Sequence, residues 1–260
     1  MNTLKTATIG VLKHIFPERM KNSLLHLSFH LAQGEFQKFA HEYCFAPDMR
    51  RGLSAMAARG FTPRTIVDVG AFEAGWSRMA RQIWPDARLF MIEPNNAKTK
   101  LLRKAATELN ATLMSELLGA EDGQEVPFYV MESGSSILAE RSGVQRSVEA
   151  RCLRTLDALL PDIAAPGLLK IDAQGYELQI LRGASRILPE FEAVLLEVAI
   201  IEINEGAPLL HDVVTFMKTQ GFVAYDILEI HRRPLDTALN QVDIIFIREQ
   251  SRLIADKRHY

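Results

Sequence analysis

The chain has 260 residues, of which 48% are hydrophobic and 24% charged, with a formal net charge of −2. That size suits one large domain or a domain with an appendage, and the near-neutral balance speaks against a nucleic-acid binder, which would show a basic excess. The two cysteines, Cys44 and Cys152, have neither disulfide-framework nor zinc-ligand spacing, so a reducing cytoplasm is the natural compartment and they indicate no metal site.

No apolar run is long enough to span a bilayer, and the first residues lack the apolar core and cleavage site of a signal peptide. They carry instead a basic, amphipathic pattern. Val11, Leu12, Ile15 and Phe16 share one helical face, and Met20, Leu24, Leu27 and Leu31 share another. Lys5, Lys13, Arg19 and Lys21 oppose a single acid, Glu18, before Gln33. Two readings of residues 1–52 stand side by side. One is a helical layer packed on the domain or on a second subunit of a homo-oligomer; the other is a peripheral membrane helix serving a lipid-linked substrate. A further helix, with Met49, Leu53 and Met56 on one face, stops at Gly60.

From Thr65, short apolar runs alternate with amphipathic helices, which is how a parallel sheet with crossovers reads, and the domain is expected over residues 53–260. Strand TIVDVG precedes a helix bearing Trp76, Met79, Ala80 and Ile83. Strand RLFMIEP precedes a helix bearing Leu101, Leu102, Ala105 and Leu109. A third strand lies within ATLMSELLG. PFYVM and SVEARCL alternate as an inserted hairpin joined by ESGSSIL. GLLKID is followed by a helix expected from Tyr176 to about Ile187, and AVLLEV by a helix ending near Gly221. FVAYDILEI and QVDIIFIRE are linked too briefly for a crossover helix, which predicts an antiparallel pair. A doubly wound α/β sheet, mostly parallel with an antiparallel C-terminal pair, is a class I methyltransferase pattern rather than that of a nicotinamide-dependent dehydrogenase, whose sheet stays parallel.

Ligands of such sheets bind outside the carboxyl ends of the strands, so the chemistry is sought there. The first strand ends in Asp68, with Gly70 for a tight turn and Ser77 in the first turn of the helix. The second ends in Glu93 and Pro94, an acid suited to both ribose hydroxyls of an adenosine. The fourth ends in Asp172, before the sharp exit at Gly175. Lys170 shares its strand face with Asp172, which reads as an ion pair. Glu177 in the first helical turn is accounted for by the helix dipole. Glu197 closes the fifth strand and is expected to share a cleft with Asp172.

The run from GFTPRTIVDVGAFEAGWS through MIEPN, LLGAEDG, GSSIL and RTLDALL to LLKIDAQGYELQILRGA resembles the FkbM family of S-adenosylmethionine-dependent methyltransferases, over residues 53–248. The resemblance implies a class I methyltransferase (Rossmann-like) fold, S-adenosylmethionine as methyl donor, and O-methylation of a sugar, glycolipid or related natural product. By position, Asp68, Gly70 and Ala71 would hold the methionine portion and Glu93 the ribose, with Ser77 and Pro94 among the cofactor-binding residues. Ser115, Glu116, Leu117 and Leu118 would border the adenine, and Asp172 would lie beside the transferred methyl. Two departures stand out. Positions often Asn and Gly are Phe72 and Ala74, Phe72 being placed to cover the cofactor or line the substrate entrance. The usual acid after the fourth strand is Gln174, which leaves metal dependence open.

Methyl transfer to a hydroxyl needs alignment and a base. Asp172 takes that role here, with His231 as the alternative because the late loop region containing it could cap the cleft. The rival functions are a methyltransferase fold that binds without catalysing and, further off, a nicotinamide-dependent dehydrogenase.

Overall fold

The computed structural model describes residues 47–131, 134–141 and 145–258. The amphipathic faces expected before residue 47 lie outside the described residues. Pro47–Tyr260 forms one compact unit.

A seven-stranded sheet is built in the order β3-β2-β1-β7-β8-β10-β9. Its strands are β1 (Thr65–Val69), β2 (Arg88–Ile92), β3 (Ala111–Met114), β7 (Gly167–Ile171), β8 (Phe191–Ala199), β9 (Phe222–Arg232) and β10 (Leu239–Arg248). Residues of β1 and β7 are buried throughout, as in a parallel sheet covered on both faces, including the charged Asp68 and Lys170. Five neighbours run parallel, and β10 enters antiparallel between β8 and β9, the finish expected from their short link.

Helices cover both faces. On one, α1 (Met49–Ala58), α2 (Gly75–Ile83) and α3 (Thr99–Leu109) bury Leu53, Met56, Ala80, Leu102 and Ala105 against Ile66, Leu168 and Ile245. On the other, α4 (Leu156–Leu159), α5 (Glu177–Arg182) and α6 (Leu210–Thr219) bury Leu156, Leu178, Leu181, Val213 and Met217 against Val67, Leu169 and Phe246. No helix of the described residues is long and apolar enough to cross a membrane.

Three expectations are corrected. Leu101 is exposed, because the buried face of α3 runs through Leu102, Ala105 and Leu109. The helix expected from Tyr176 to about Ile187 spans only Glu177–Arg182. It stops where Gly183 passes so close to the Gly119 carbonyl that a Cβ would lie 2.1 Å from it. ATLMSELLG holds two strands of different sheets, β3 and β4 (Leu117–Leu118). The second sheet, β4-β6-β5, contains the expected hairpin: β5 (Glu125–Val130) pairs antiparallel with β6 (Ser147–Arg154). Its small core of Leu117, Val126, Phe128 and Leu153 walls the carboxyl edge of the main sheet.

Candidate active site

The chain moves outward from β1 to β3, then crosses to β7 on the other side of β1. Strand order therefore reverses between β1 and β7, and the loops leaving their carboxyl ends diverge to open a crevice. A cavity of about 230 Å³ lies there, bounded by Gly70, Glu93, Leu117, Phe128, Ile137 and Asp172.

The floor of the cavity is shaped by backbone. Gly70 has φ +74, and a Cβ on it would sit 2.0 Å from the Asp172 carbonyl oxygen, so only glycine lets the two turns approach. Two and four residues further, Phe72 and Ala74 hold φ of 47° and 63°. A side-chain-bearing residue at these left-handed positions stores strain of about 1–3 kcal/mol. Glu93 holds the turn: its Oε2 accepts from Phe72 N at 2.8 Å and its Oε1 from Asn95 N at 2.9 Å. Burial raises the Glu93 carboxyl above its ordinary value, although those backbone bonds work the other way.

Behind the turn, Asp68 is fully buried, accepting from Ser77 Oγ at 2.6 Å and lying 3.0 Å from Lys170 Nζ. Burial alone would lower Lys170, but Asp68 and then Asp172 outweigh it and raise its pKa. The ammonium also donates to the carbonyls of Val69 and Gly70, at 3.3 and 2.9 Å, and lies 3.6 Å from Asp172 Oδ2. The expected Lys170–Asp172 ion pair is thus one side of a wider junction.

On the far side, Gln174 occupies another left-handed position, φ 53, followed by Gly175 at φ 99. The carbonyl of Gln174 is clamped by Ser136 Oγ at 3.0 Å and Asn204 Nδ2 at 2.6 Å, and these bonds hold the strained exit in place. The Gln174 amide donates to Asp172 Oδ1 at 3.0 Å and to Glu197 Oε2 at 2.7 Å. Asp172 and Glu197 are therefore bridged by a single side chain, although Asp172 lines the cavity and Glu197 lies outside its lining. Gln241 Nε2 adds a second donor to Glu197 Oε2 at 2.9 Å. Glu197 is pushed well above the ordinary carboxyl value by burial, then by the charges of Asp172 and Asp243.

Of the expected cofactor positions, Gly70, Phe72, Glu93, Pro94, Glu116 and Leu117 line the cavity together with Asp172. Asp68, Ala71 and Ser77 are buried behind it, and Ser115 is exposed outside its lining. His231 requires a correction: it lies within β9, which runs on to Arg232, and not in a loop. Its Nε2 is 2.8 Å from Asp243 Oδ2, a bond that raises the imidazole pKa, reinforced by the charges of Asp243, Glu229 and Asp172. Asn95, Ser135, Ser136 and Tyr176, not among the residues expected from the sequence, also line the cavity. The quoted GSSIL and GYE motifs contain three of these four residues, and their chemistry could have been sought there.

Glu177 is more than a dipole partner. It is 2% exposed, and its Oε1 accepts from both Ala173 N and Gly175 N at 3.0 Å. Burial pushes its carboxyl up to about 7 against the lowering effect of its backbone bonds.

The profile of the family described as Methyltransferase FkbM domain matches residues 56–224. Among solved structures, a methyltransferase FkbM from Methylobacillus flagellatus KT is 17% identical with a TM-score of 0.46, covering 71% of this chain and 44% of its own. This chain thus spans less than half the length of that protein. Precorrin-6y C5,15-methyltransferase from Geobacter metallireducens GS-15 is 15% identical with a TM-score of 0.44, covering 76% of this chain and 86% of its own. TrmK of M. capricolum, solved with S-adenosyl-homocysteine, is 7% identical with a TM-score of 0.44, covering 75% of this chain and 67% of its own. The comparison with curated proteins returns no match.

Proposed function

The chain belongs to the FkbM methyltransferase family, and from that premise we propose that it transfers a methyl group from S-adenosylmethionine to a hydroxyl of a sugar, glycolipid or related natural product. The observation that carries this reading is one cavity at the strand-order reversal with Glu93 on one side and Asp172 on the other.

The residues suit such a donor. Glu93 keeps lone pairs beyond its two backbone bonds for ribose hydroxyls. Leu117, Leu118, Phe128 and Ile180 supply apolar walls for a heteroaromatic base, and the turn at Gly70 admits a ligand close to the backbone. When bound, S-adenosylmethionine supplies an electrophilic methyl group. The chain's own task is then to align a hydroxyl and take its proton. Asp172 fills that role: Gln174 and Lys170 hold its carboxylate at the cavity edge. Beside it, Glu197 and the amides of Gln174 and Gln241 offer acceptors and donors to the hydroxyls of a polyol.

Two measurements test the reading. Calorimetric titration of the full chain with S-adenosylhomocysteine should show binding that Glu93→Ala weakens about 10- to 100-fold, the worth of one charge-assisted bond. Absence of binding, or an unchanged affinity, would place the cofactor elsewhere. Labelled methyl should pass from the donor to a sugar or glycolipid in an acceptor screen. Donor binding with no transfer to any acceptor would instead favour a fold that binds without catalysing.

A further inference from the structure

Beyond Glu197 the carboxyl edge of the sheet continues onto β10 and β9. Asp243 pairs in register with Glu197 on one side and Glu229 on the other. One step along, Gln241 pairs with Ala199 and His231. The pairing from Gln241 to Asp243 is free of bulges, so Asp243, Glu229 and His231 project from the same face of the sheet. One ligand-type atom of each of Glu229, His231 and Asp243 lies within 4.8 Å of the other two.

From this geometry we propose that Glu229, His231 and Asp243 form a divalent-cation site on the acceptor side of the cleft. The donor set distinguishes it from a mere concentration of acids. One imidazole nitrogen with two carboxylates suits a first-row ion such as Mn²⁺ or Zn²⁺. The three side chains come from two hydrogen-bonded strands, so backbone pairing has already brought them together. Charge balance points the same way. Among the described residues, Glu197, Glu229 and Asp243 have no lysine or arginine within ion-pair distance; their basic neighbour is His231, 2.8 Å from Asp243, and the nearby Lys170 is engaged by Asp68, Asp172 and two carbonyls. Glu197 is occupied by two amides, which leaves the other three side chains as the ligand set. Three protein ligands leave coordination positions for oxygens of the acceptor, which the ion would orient without entering the displacement itself. That positioning role rests on the function proposed above; the site itself does not.

The full chain, stripped with chelator, is titrated calorimetrically with Mn²⁺ and, separately, with Zn²⁺. At least one ion should saturate at one per chain, and Glu229→Gln and His231→Gln should each weaken it roughly tenfold or more. Glu229 lies exposed on the edge strand, so its replacement keeps the fold, which circular dichroism checks. Failure of both ions to bind at that ratio overturns the site, as does an affinity that either variant leaves unchanged. Titration with S-adenosylhomocysteine, run in parallel, separates the two readings. Its failure with cation binding intact would sink the donor assignment alone.

Discussion

The two halves of the sheet's carboxyl edge make their surfaces by different means. Around β1 and β2 the cavity is shaped by backbone: Gly70 and the left-handed Phe72 and Ala74 set its turn, apolar residues wall it, and Glu93 anchors it. Around β7, β8, β10 and β9 the surface is a row of side chains, with Asp172, Gln174, Glu197, Gln241 and Asp243 linked or adjacent. A surface built by backbone tolerates few changes and suits an unvarying ligand. A surface built by side chains can change its chemistry through single replacements.

The sharpest way to break the first half is Gly70→Ala. The added Cβ would meet the Asp172 carbonyl at 2.0 Å and the backbone would keep φ +74. Strain and overpacking together should cost about 2–6 kcal/mol, read by denaturant unfolding. A cost below 1 kcal/mol would mean that the turn is not held by this close approach.

The second half should instead fail in turnover. Asp172→Asn keeps the shape and the reach toward Gln174 but removes the basic charge. We expect a fall of about 100- to 10,000-fold in rate, with the affinity for S-adenosylhomocysteine changed only modestly. Normal turnover on the true acceptor would move the base elsewhere on the edge.

Glu177 sharpens the comparison through pH. Its pKa in the folded chain is raised to about 7 from 4.5, so its stabilising contribution is complete below about pH 4.5 and is lost as pH rises through 7. Glu177→Gln removes this titration. The stability of the variant relative to the parent should therefore grow by about 3 kcal/mol from pH 4.5 to about pH 8. Parallel stability curves for the two chains would refute the shift.

Phe72→Asn should have the smallest effect. Relief of its left-handed strain, about 1 kcal/mol at the low end, is offset by loss of the Lys98 ammonium stacked 4.1 Å from the ring centroid. Stability should stay within about 1 kcal/mol of the parent in thermal melts. A fall of several kcal/mol would show that the ring is a packing element rather than a cover.

Much of this organisation is legible in the sequence. The mostly apolar β1 and β7, the acids that follow β2 and β7, and the brief link between β9 and β10 carry local signals that survive folding. What escaped depends on register and burial. His231 reads as a loop residue because Arg232, Arg233 and Pro234 follow it, and only the pairings of Gln241 with His231 and of Leu239 with Arg232 extend the strand that far. The bond from Gln174 to Glu197 joins residues 23 positions apart, a distance that no local pattern encodes. Glu177 looks like an ordinary first-turn acid until its burial beneath the loop it bonds is seen. Phe72 and Ala74 stood out as departures, but their left-handed backbone is a property of the turn.

Lys170 sits where the two halves meet. A single ammonium binds the carbonyls of Val69 and Gly70 on one side and faces Asp68 and Asp172 on the other. A ligand that shifts the Gly70 turn therefore also shifts the countercharge of Asp172. Whatever docks against Asp172 acts back on the turn by the same amount, because such coupling is reciprocal. The two substrates of the reaction would then bind cooperatively, each helping or hindering the other through one buried cation.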